Sequence, residues 1–183
     1  NASAKGYMKG LGIFANAGYK ITESSILSIY ARSDDHNTTG ENQTYKLNFR
    51  KIFNQFELGA THSTGLRNPT LFELYGTDNY GITGNVNLKP EKSKTNDLSL
   101  KYKYSTNIIL SSIAYRTTVF DQIETNSAYS QHENMKIDIN QEGLENKLLF
   151  NGNNHNFSIF SNFSKSRKTN GQAQSRRPDL SYG

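Results

Sequence analysis

Apolar and polar residues alternate through most of this chain, and a period of two predicts β-strands with one apolar face. In the segment 95–104, for example, Leu98 and Leu100 alternate with Ser99 and Lys101. The same pattern predicts eight strands and the start of a ninth, at 10–21, 25–32, 44–51, 55–64, 95–104, 107–120, 143–150, 156–165 and from Pro178 onward. The chain is therefore expected to be all-β.

The predicted connections alternate strictly between tight and long. Tight turns are expected at 22–24, 53–54, 105–106 and 151–155, and long connections at 33–43, 65–93, 121–142 and 166–177. Because every second connection of an antiparallel meander lies at the same end of the sheet, one end would carry the tight turns and the other the long loops. This asymmetry, with strands of about 9–11 residues, is typical of outer-membrane barrels.

We therefore predict an antiparallel up-and-down transmembrane β-barrel, with a soluble antiparallel sandwich as the alternative, because alternation occurs in both. The side chains expected to face lipid are Leu98, Leu100, Leu144 and Leu148, and those expected to face a wet lumen are Lys101, Lys103, Glu145 and Lys147. His62 is also assigned to the lumen. Tyr102 and Tyr104 precede a tight turn, where an aromatic girdle would lie.

The connection 65–93 is too long for a turn, and long ordered loops in compact folds are usually functional. It contains Pro69 and Pro90, two of the three prolines of the chain. It also contains an apolar group that a solvated linker would not need, formed by Leu71, Phe72, Leu74 and Tyr75. We expect an ordered loop that packs against another part of the protein.

Composition narrows the possible functions. Hydrophobic residues make up 34% of the 183 residues, no run reaches the ~18 apolar residues of a spanning helix, and there is no cysteine for a disulfide. The net charge is +5, but Lys and Arg are scattered rather than gathered in one stripe, so no nucleic-acid partner is expected. No nucleophile and base pair and no phosphate-binding Gly loop are visible, so neither an enzyme nor a cofactor is predicted.

Asp34-Asp35-His36 offers metal donors, but adjacent residues rarely converge on one ion, and a solvated loop is expected there.

Two segments resemble the paired motifs of TonB-dependent outer-membrane receptors. Residues 66–76 read LRNPTLFELYG, similar to F-R-A-P-T-L-x-E-L-Y-G, and residues 84–93 read GNVNLKPEKS, similar to G-N-P-N-L-K-P-E-x-S. Leu66, Asn68 and Val86 depart from these patterns. The positions that carry the resemblance are Arg67, Pro69, Glu73, Tyr75, Gly76, Asn87, Leu88, Pro90 and Glu91. The segment 31–36 and the Arg176-Arg177-Pro178 entry to the last predicted strand are also similar to parts of these barrels.

The resemblance implies active transport across the bacterial outer membrane by a barrel of about 22 strands, plugged by an N-terminal domain. Residues 1–183 would all belong to the barrel domain and would supply about nine consecutive strands from its C-terminal half. Both ends read as cut, so the plug and the terminal strands would be absent from this fragment. The implied partners are TonB, through the missing plug, and the lipid and lipopolysaccharide of the outer membrane.

Within that family the chain is most similar to the vitamin B12 (cobalamin) transporters, in which the first Arg of the Arg-Arg pair contacts cobalamin. The matching position is Arg176, which could instead anchor a loop or lipopolysaccharide. A ferric-siderophore receptor is the alternative, and a small structural or adhesive barrel is a third possibility. Haem is disfavoured because residues 67–88 contain no His, the ligand that haem iron would need.

Overall fold

A computed structural model of the protein describes residues 3–172 and 180–182, with side chains for residues 5–172. In chain order its elements are β1 (Ser3–Ala4), β2 (Gly10–Thr22), β3 (Ser25–His36), β4 (Gly40–Phe53), β5 (Phe56–Arg67), α1 (Leu71–Tyr75), β6 (Gly76–Thr77), β7 (Glu91–Lys103), β8 (Ile108–Phe120), β9 (Ile123–Thr125), β10 (His132–Asn134), β11 (Ile139–Asn151), β12 (Asn156–Lys168) and β13 (Leu180–Tyr182). No helix among these residues is long and apolar enough to cross a membrane.

One antiparallel sheet contains nine of the described strands, in the order β2-β3-β4-β5-β7-β8-β11-β12-β13. Each strand pairs with the next long strand along the chain, so the sheet is an up-and-down meander, and in the described residues it stays open between β2 and β13. The short strands pair outside it, β1 with β6 and β9 with β10. The prediction of an all-β, up-and-down barrel sheet is confirmed.

The prediction of strict alternation in loop length is wrong at residues 33–43. Here β3 and β4 continue as a paired hairpin, with Asp35 opposite Glu41 and His36 opposite Gly40. The turn is only 37–39, and Gly40 has a φ of 68°, which glycine adopts without steric cost. The end of the sheet that carries the loops 68–90 and 121–138, here called the long-loop rim, therefore also carries one tight turn.

The pairing register separates two faces of the sheet as predicted. Leu98 lies between Ala60 and Ala114, and the residue is 66% exposed, as expected for one that packs against no core. Lys101 lies on the opposite face, across from Glu57. We call these the apolar face and the polar face.

The prediction that His62 faces the lumen, on the polar face, is wrong. It pairs with Leu47 and Asn96, which places it on the apolar face, two residues beyond Ala60. Its Nδ1 is 2.8 Å from the Asn96 Oδ1 atom, and its Nε2 is 3.2 Å from the Tyr45 hydroxyl. The strict period of two along a strand fixes this position whatever the polarity of the side chain.

Aromatic rings line the apolar face at the tight-turn end, where the girdle was predicted. The centroids of Phe56 and Tyr102 are 4.7 Å apart, and those of Tyr102 and Tyr104 are 6.3 Å apart. Phe150 and Phe157 continue the row on β11 and β12, with centroids 5.3 Å apart. The Phe56–Tyr102 and Phe150–Phe157 contacts cross from one strand to the next and support the sheet register.

Candidate functional site

The loop 68–90 is ordered around the short helix α1. Thr70 caps this helix with a capping box: its hydroxyl accepts the Glu73 N–H at 3.2 Å, and the Glu73 carboxylate accepts the Thr70 N–H at 2.8 Å. Two of the amide groups that every helix start leaves unpaired are satisfied in this way. At the other end, the Gly76 N–H donates to the carbonyl of Phe72 and closes the helix.

A guanidinium bridge fastens this loop to the sheet. Arg67, the last residue of β5, donates to both oxygens of Glu73 at 3.0 and 3.1 Å, and to Glu91, the first residue of β7, at 2.6 Å. The same Glu91 oxygen accepts the Ile123 N–H at 2.8 Å. Charge-assisted, bidentate bonds of this kind are strong and directional. One cluster therefore joins two strands, the helix and the start of the second long loop.

The charge of Glu73 depends on this bridge. Partial burial raises the pKa of the Glu73 carboxyl, but hydrogen bonds from Arg67 and Thr70 favour the charged form, and together they hold the pKa below its ordinary value of 4.5. Because the pKa is lowered in the folded loop, the ionised carboxylate stabilises the loop at pH values above 4.5. That stabilisation is lost as the pH falls through the lowered pKa.

Acidification should loosen α1. We expect hydrogen-exchange protection of the Thr70 and Glu73 amides, corrected for intrinsic rates, to fall as the pH drops below about 4.5, since a protonated Glu73 holds Arg67 less tightly. Glu73→Gln is the matched control, because its amide oxygen can still accept the Thr70 N–H but does not titrate. An equal pH response in Glu73→Gln would show that another group is responsible.

The loop 121–138 docks on the first long loop through backbone and amide groups. The Asn134 side chain accepts the Lys89 N–H at 2.8 Å and donates to the Lys89 carbonyl at 2.9 Å and to the Asp121 carbonyl at 2.7 Å. Asn85 donates to the His132 carbonyl at 3.1 Å. The backbones also meet directly, since the His132 N–H donates to the Thr83 carbonyl at 3.1 Å.

A small hydrophobic core lies beneath these two loops. Leu74 from α1, Leu88 from the second motif and Ile123 from β9 are buried together, and Met8 packs against them. Most large apolar side chains of the sheet are exposed on the apolar face instead. The described chain is thus a barrel wall with its core at the long-loop rim.

A family model described as "TonB dependent receptor-like, beta-barrel" matches residues 1–180. The chain belongs to the TonB-dependent receptor family. This family consists of outer-membrane β-barrels that act as receptors and transporters rather than enzymes.

Two curated relatives of this TonB-dependent receptor chain are vitamin B12 transporters. BtuB of Photobacterium profundum is 39% identical over 70 residues, which cover 38% of this chain and 11% of that protein. BtuB of Vibrio vulnificus is 32% identical over 127 residues, which cover 65% of this chain and 19% of that protein. The chain thus spans about a tenth to a fifth of the length of these relatives.

The solved structures share the fold at lower identity. The siderophore receptor PirA from Acinetobacter baumannii matches with a TM-score of 0.78 and 17% identity, over 96% of this chain and 30% of that one. At this identity the match shows the barrel architecture and carries no information on the ligand.

The structure gathers the motif residues of this receptor chain into one scaffold. Arg67, Glu73 and Glu91 form the guanidinium bridge. The remaining motif positions divide into a buried set, Pro69, Gly76, Leu88 and Pro90, and an exposed set, Tyr75 and Asn87. The motifs therefore shape the long-loop rim more than they present an open binding surface. Arg176 lies outside the described residues.

The sequence did not reveal that the second loop completes this scaffold. Ile123 and Asn134 were not among the predicted site residues, although Ile123 stands out as an apolar residue in a polar stretch. His132 also reaches the first motif, with its ring centroid 6.2 Å from that of Phe72. The His132 Nε2 atom is buried and lacks a hydrogen-bond partner among the residues that the structure describes, so it does not face open space as a haem-iron ligand would need to.

The Asp34-Asp35-His36 donors do not converge. Asp34 accepts two hydrogen bonds from Arg32, each at 2.6 Å, and the His36 Nδ1 is 2.7 Å from the Thr38 hydroxyl. Asp35 lies on the other face of β3, because adjacent residues of a strand point to opposite sides. The expected solvated loop is instead the paired end of a hairpin.

Proposed function

We propose that this chain is part of the barrel domain of a TonB-dependent transporter that takes up cobalamin across the bacterial outer membrane. The observation that carries the substrate is the 32% identity over 127 residues to a vitamin B12 transporter, supported by the 39% identity to a second one over 70 residues. The plug, and with it the contact to TonB, would lie in the rest of the receptor.

The described structure supports two roles at the long-loop rim, with some loops serving as a rigid base and others contacting the ligand. The docked loops 68–90 and 121–138 form a rigid base, because the guanidinium bridge and the buried Leu74, Leu88 and Ile123 hold them to the sheet. Binding residues on loops perform best when a rigid scaffold positions them. The base would therefore fix the height and spacing of the ligand-contacting loops around it.

The substrate is tested by growth and binding with the complete receptor. A strain that depends on this receptor should grow on limiting cobalamin, and the purified receptor should bind cobalamin tightly. A knockout strain that loses growth on a ferric siderophore, and keeps growth on cobalamin, would establish the siderophore alternative instead.

Arg176 is proposed as a cobalamin contact. Arg176→Ala should weaken cobalamin binding by about 1–3 kcal/mol, the size expected for a lost hydrogen bond from a charged group. Titration calorimetry on the complete receptor measures this directly. Arg177→Ala is the matched control, with the same charge change one residue away. Equal affinities for the two variants would remove this role from Arg176.

A further inference from the structure

Three polar side chains form a row across the apolar face, on β8, β11 and β12. Asn146 of β11 pairs with Ser112 on one side and with Ser161 on the other, and Ser112 in turn pairs with Leu100. Directly paired residues share a face of a sheet, so the row lies on the same face as Leu100. The Ser112 hydroxyl donates to the Asn146 Oδ1 atom at 2.8 Å, and the Asn146 Nδ2 atom donates to the Ser161 hydroxyl oxygen at 3.4 Å. We call these three residues the polar row.

The polar row lies near the middle of the depth that a membrane would occupy. Along β11, Asn146 is four residues from Phe150 at the tight-turn end and four residues from Glu142 in the other direction. Four residues span about 13 Å of extended strand, or about 10 Å of height at a strand tilt of roughly 40°. Asn146 therefore lies inside an apolar band of about 25 Å. Polar side chains at such a depth are costly against lipid and commonly mark a functional contact.

Asn146 has an unused hydrogen-bond donor. A side-chain amide carries two N–H groups, and among the described residues the Asn146 amide uses one of them, toward Ser161. Water would accept a hydrogen bond from the second N–H, but lipid hydrocarbon offers no acceptor, and leaving the group unpaired there costs free energy. A second Asn146 amide would supply the acceptor, because every amide combines a donor with an acceptor.

The residues on either side of β11 are arranged as a two-fold contact requires. Copies of one barrel enter the membrane in the same orientation, so a two-fold axis between them runs along the membrane normal and brings equal depths together. With β11 on the axis, β8 of one copy faces β12 of the other. At three successive levels the facing pairs are then Leu110 with Ile159, Ser112 with Ser161, and Ala114 with Phe163.

These facing pairs match in chemistry and in shape. Leu110 and Ile159 are both aliphatic, and Phe163, which is 50% exposed, would fill the space that the small Ala114 side chain leaves. A groove of about 400 Å³ is lined by the polar row and by Leu110, Leu148 and Ile159. Small residues along a line of contact let two backbones approach closely within a membrane. Two convex barrel walls could therefore meet at the polar row while the larger side chains pack around it.

The charges nearer the long-loop rim follow the same order on both sides of β11. Arg116 of β8 lies opposite Glu142 of β11, which in turn lies opposite Lys165 of β12. In a two-fold pair, basic side chains from both copies would flank the two Glu142 carboxylates on either side. The basic groups offset the repulsion between the carboxylates, so charge is complementary across the contact.

We propose that two copies of the receptor associate side by side in the outer membrane through β8, β11 and β12, with Asn146 paired to its own counterpart on the two-fold axis. The proposal rests on the proposed function in that it places the apolar face in the outer membrane. Acyl chains would cover the apolar side chains equally well, but they would leave the second Asn146 N–H without an acceptor.

Crosslinking of the complete receptor in native outer membranes tests the position of the axis. A residue on a two-fold axis meets its own copy, so Asn146→Cys should form a covalent homodimer with a short thiol-specific reagent. Ser112→Cys and Ser161→Cys, expressed together, should crosslink to each other. Leu98→Cys is the matched control, because it lies on the same face at nearly the same depth but away from β11, and it should give only background.

A second experiment measures association without cysteine chemistry, by energy transfer between labelled complete receptors in lipid vesicles. Asn146→Leu should weaken association on the order of 3- to 20-fold, the range for polar contacts within membranes. Ala114→Phe should also weaken it, because it fills the space for Phe163 of the other copy. Ala60→Phe is the matched control, since Ala60 lies at the same level on the other side of Leu98. All three changes add apolar surface to a lipid-facing wall, so they should not impair insertion.

Equal crosslinking of Asn146→Cys and Leu98→Cys, or equal association of Ala114→Phe and Ala60→Phe, would overturn the proposal. A crosslink from Asn146→Cys to a different protein, with no homodimer, would also overturn it and assign this face to another partner. Cobalamin binding is measured on the same preparations. A receptor that pairs through Asn146 without binding cobalamin would overturn the substrate assignment and leave the dimer standing, and a receptor that binds cobalamin as a monomer would do the reverse.

Discussion

Gly84→Ala should undock the two motifs of the first long loop from each other. A Cβ atom at position 84 would lie 2.6 Å from the carbonyl carbon and oxygen of Leu74 and 2.7 Å from the Tyr75 nitrogen, all of them backbone atoms of α1. A backbone cannot rotate away as a side chain can, so either the helix or the second motif must move. Overpacking of this kind costs about 1–3 kcal/mol.

The loss should appear in the hydrogen bonds that join the two motifs. The Gly84 N–H donates to the Gly76 carbonyl at 2.7 Å, and the Asn85 N–H donates to the Glu73 carbonyl at 2.8 Å. We expect hydrogen-exchange protection of these amides in the complete receptor to fall roughly 10- to 100-fold, through local opening. Gly18→Ala is the control, because a Cβ there meets only the Ser28 hydroxyl oxygen, at 3.9 Å. Unchanged protection at Asn85 would show that α1 and the second motif are not in close contact.

The strands could be predicted because the alternation that marks them is a direct consequence of their two environments. Leu98 and Leu100 point to one side and Lys101 to the other, and each strand of the sheet repeats this rule. The prediction of a long loop at 33–43 was wrong for a physical reason. The residues of the apolar face at that height include Ser33 and Asp35, because the hairpin extends above the apolar band, so pairing continues where the hydrophobic signal ends.

The packing of the loops could not be predicted in the same way. Asn134 and Lys89 are 45 residues apart, and the two hydrogen bonds between them leave no periodic pattern in the sequence. The motif 66–76 indicated that order was needed there, and the apolar group around Leu74 indicated burial, but neither identified Ile123 as the partner. Long-range docking through amide groups is specified by geometry that appears only after the sheet has placed both loops at one rim.

Arg67→Ala should release α1 and the second long loop together, because one guanidinium holds both. Without Arg67, the carboxylates of Glu73 and Glu91 would face each other with no positive charge between them, and the Ile123 N–H would depend on an unsupported acceptor. The Arg67 side chain is 43% exposed, so solvent screening places the expected loss nearer 1 than 3 kcal/mol. Exchange protection of the Thr70 and Ile123 amides should fall in parallel.

A second substitution separates a shared bridge from two independent contacts. Arg67→Ala/Glu91→Ala should cost less than the sum of the single changes, with a coupling on the order of 1 kcal/mol, because removing Glu91 also removes the repulsion that the first change exposes. Arg67→Lys should not restore protection, since an ammonium cannot make the bidentate contact with Glu73 and reach Glu91 as well. Arg50→Ala is the control, because its pair with Glu57 spans 3.8 Å, a distance at which a partly exposed ion pair contributes little. If Arg67→Ala and Arg50→Ala reduced exchange protection equally, the bridge would contribute nothing specific to loop stability. The buried Leu74, Leu88 and Ile123 would then hold the loops in place.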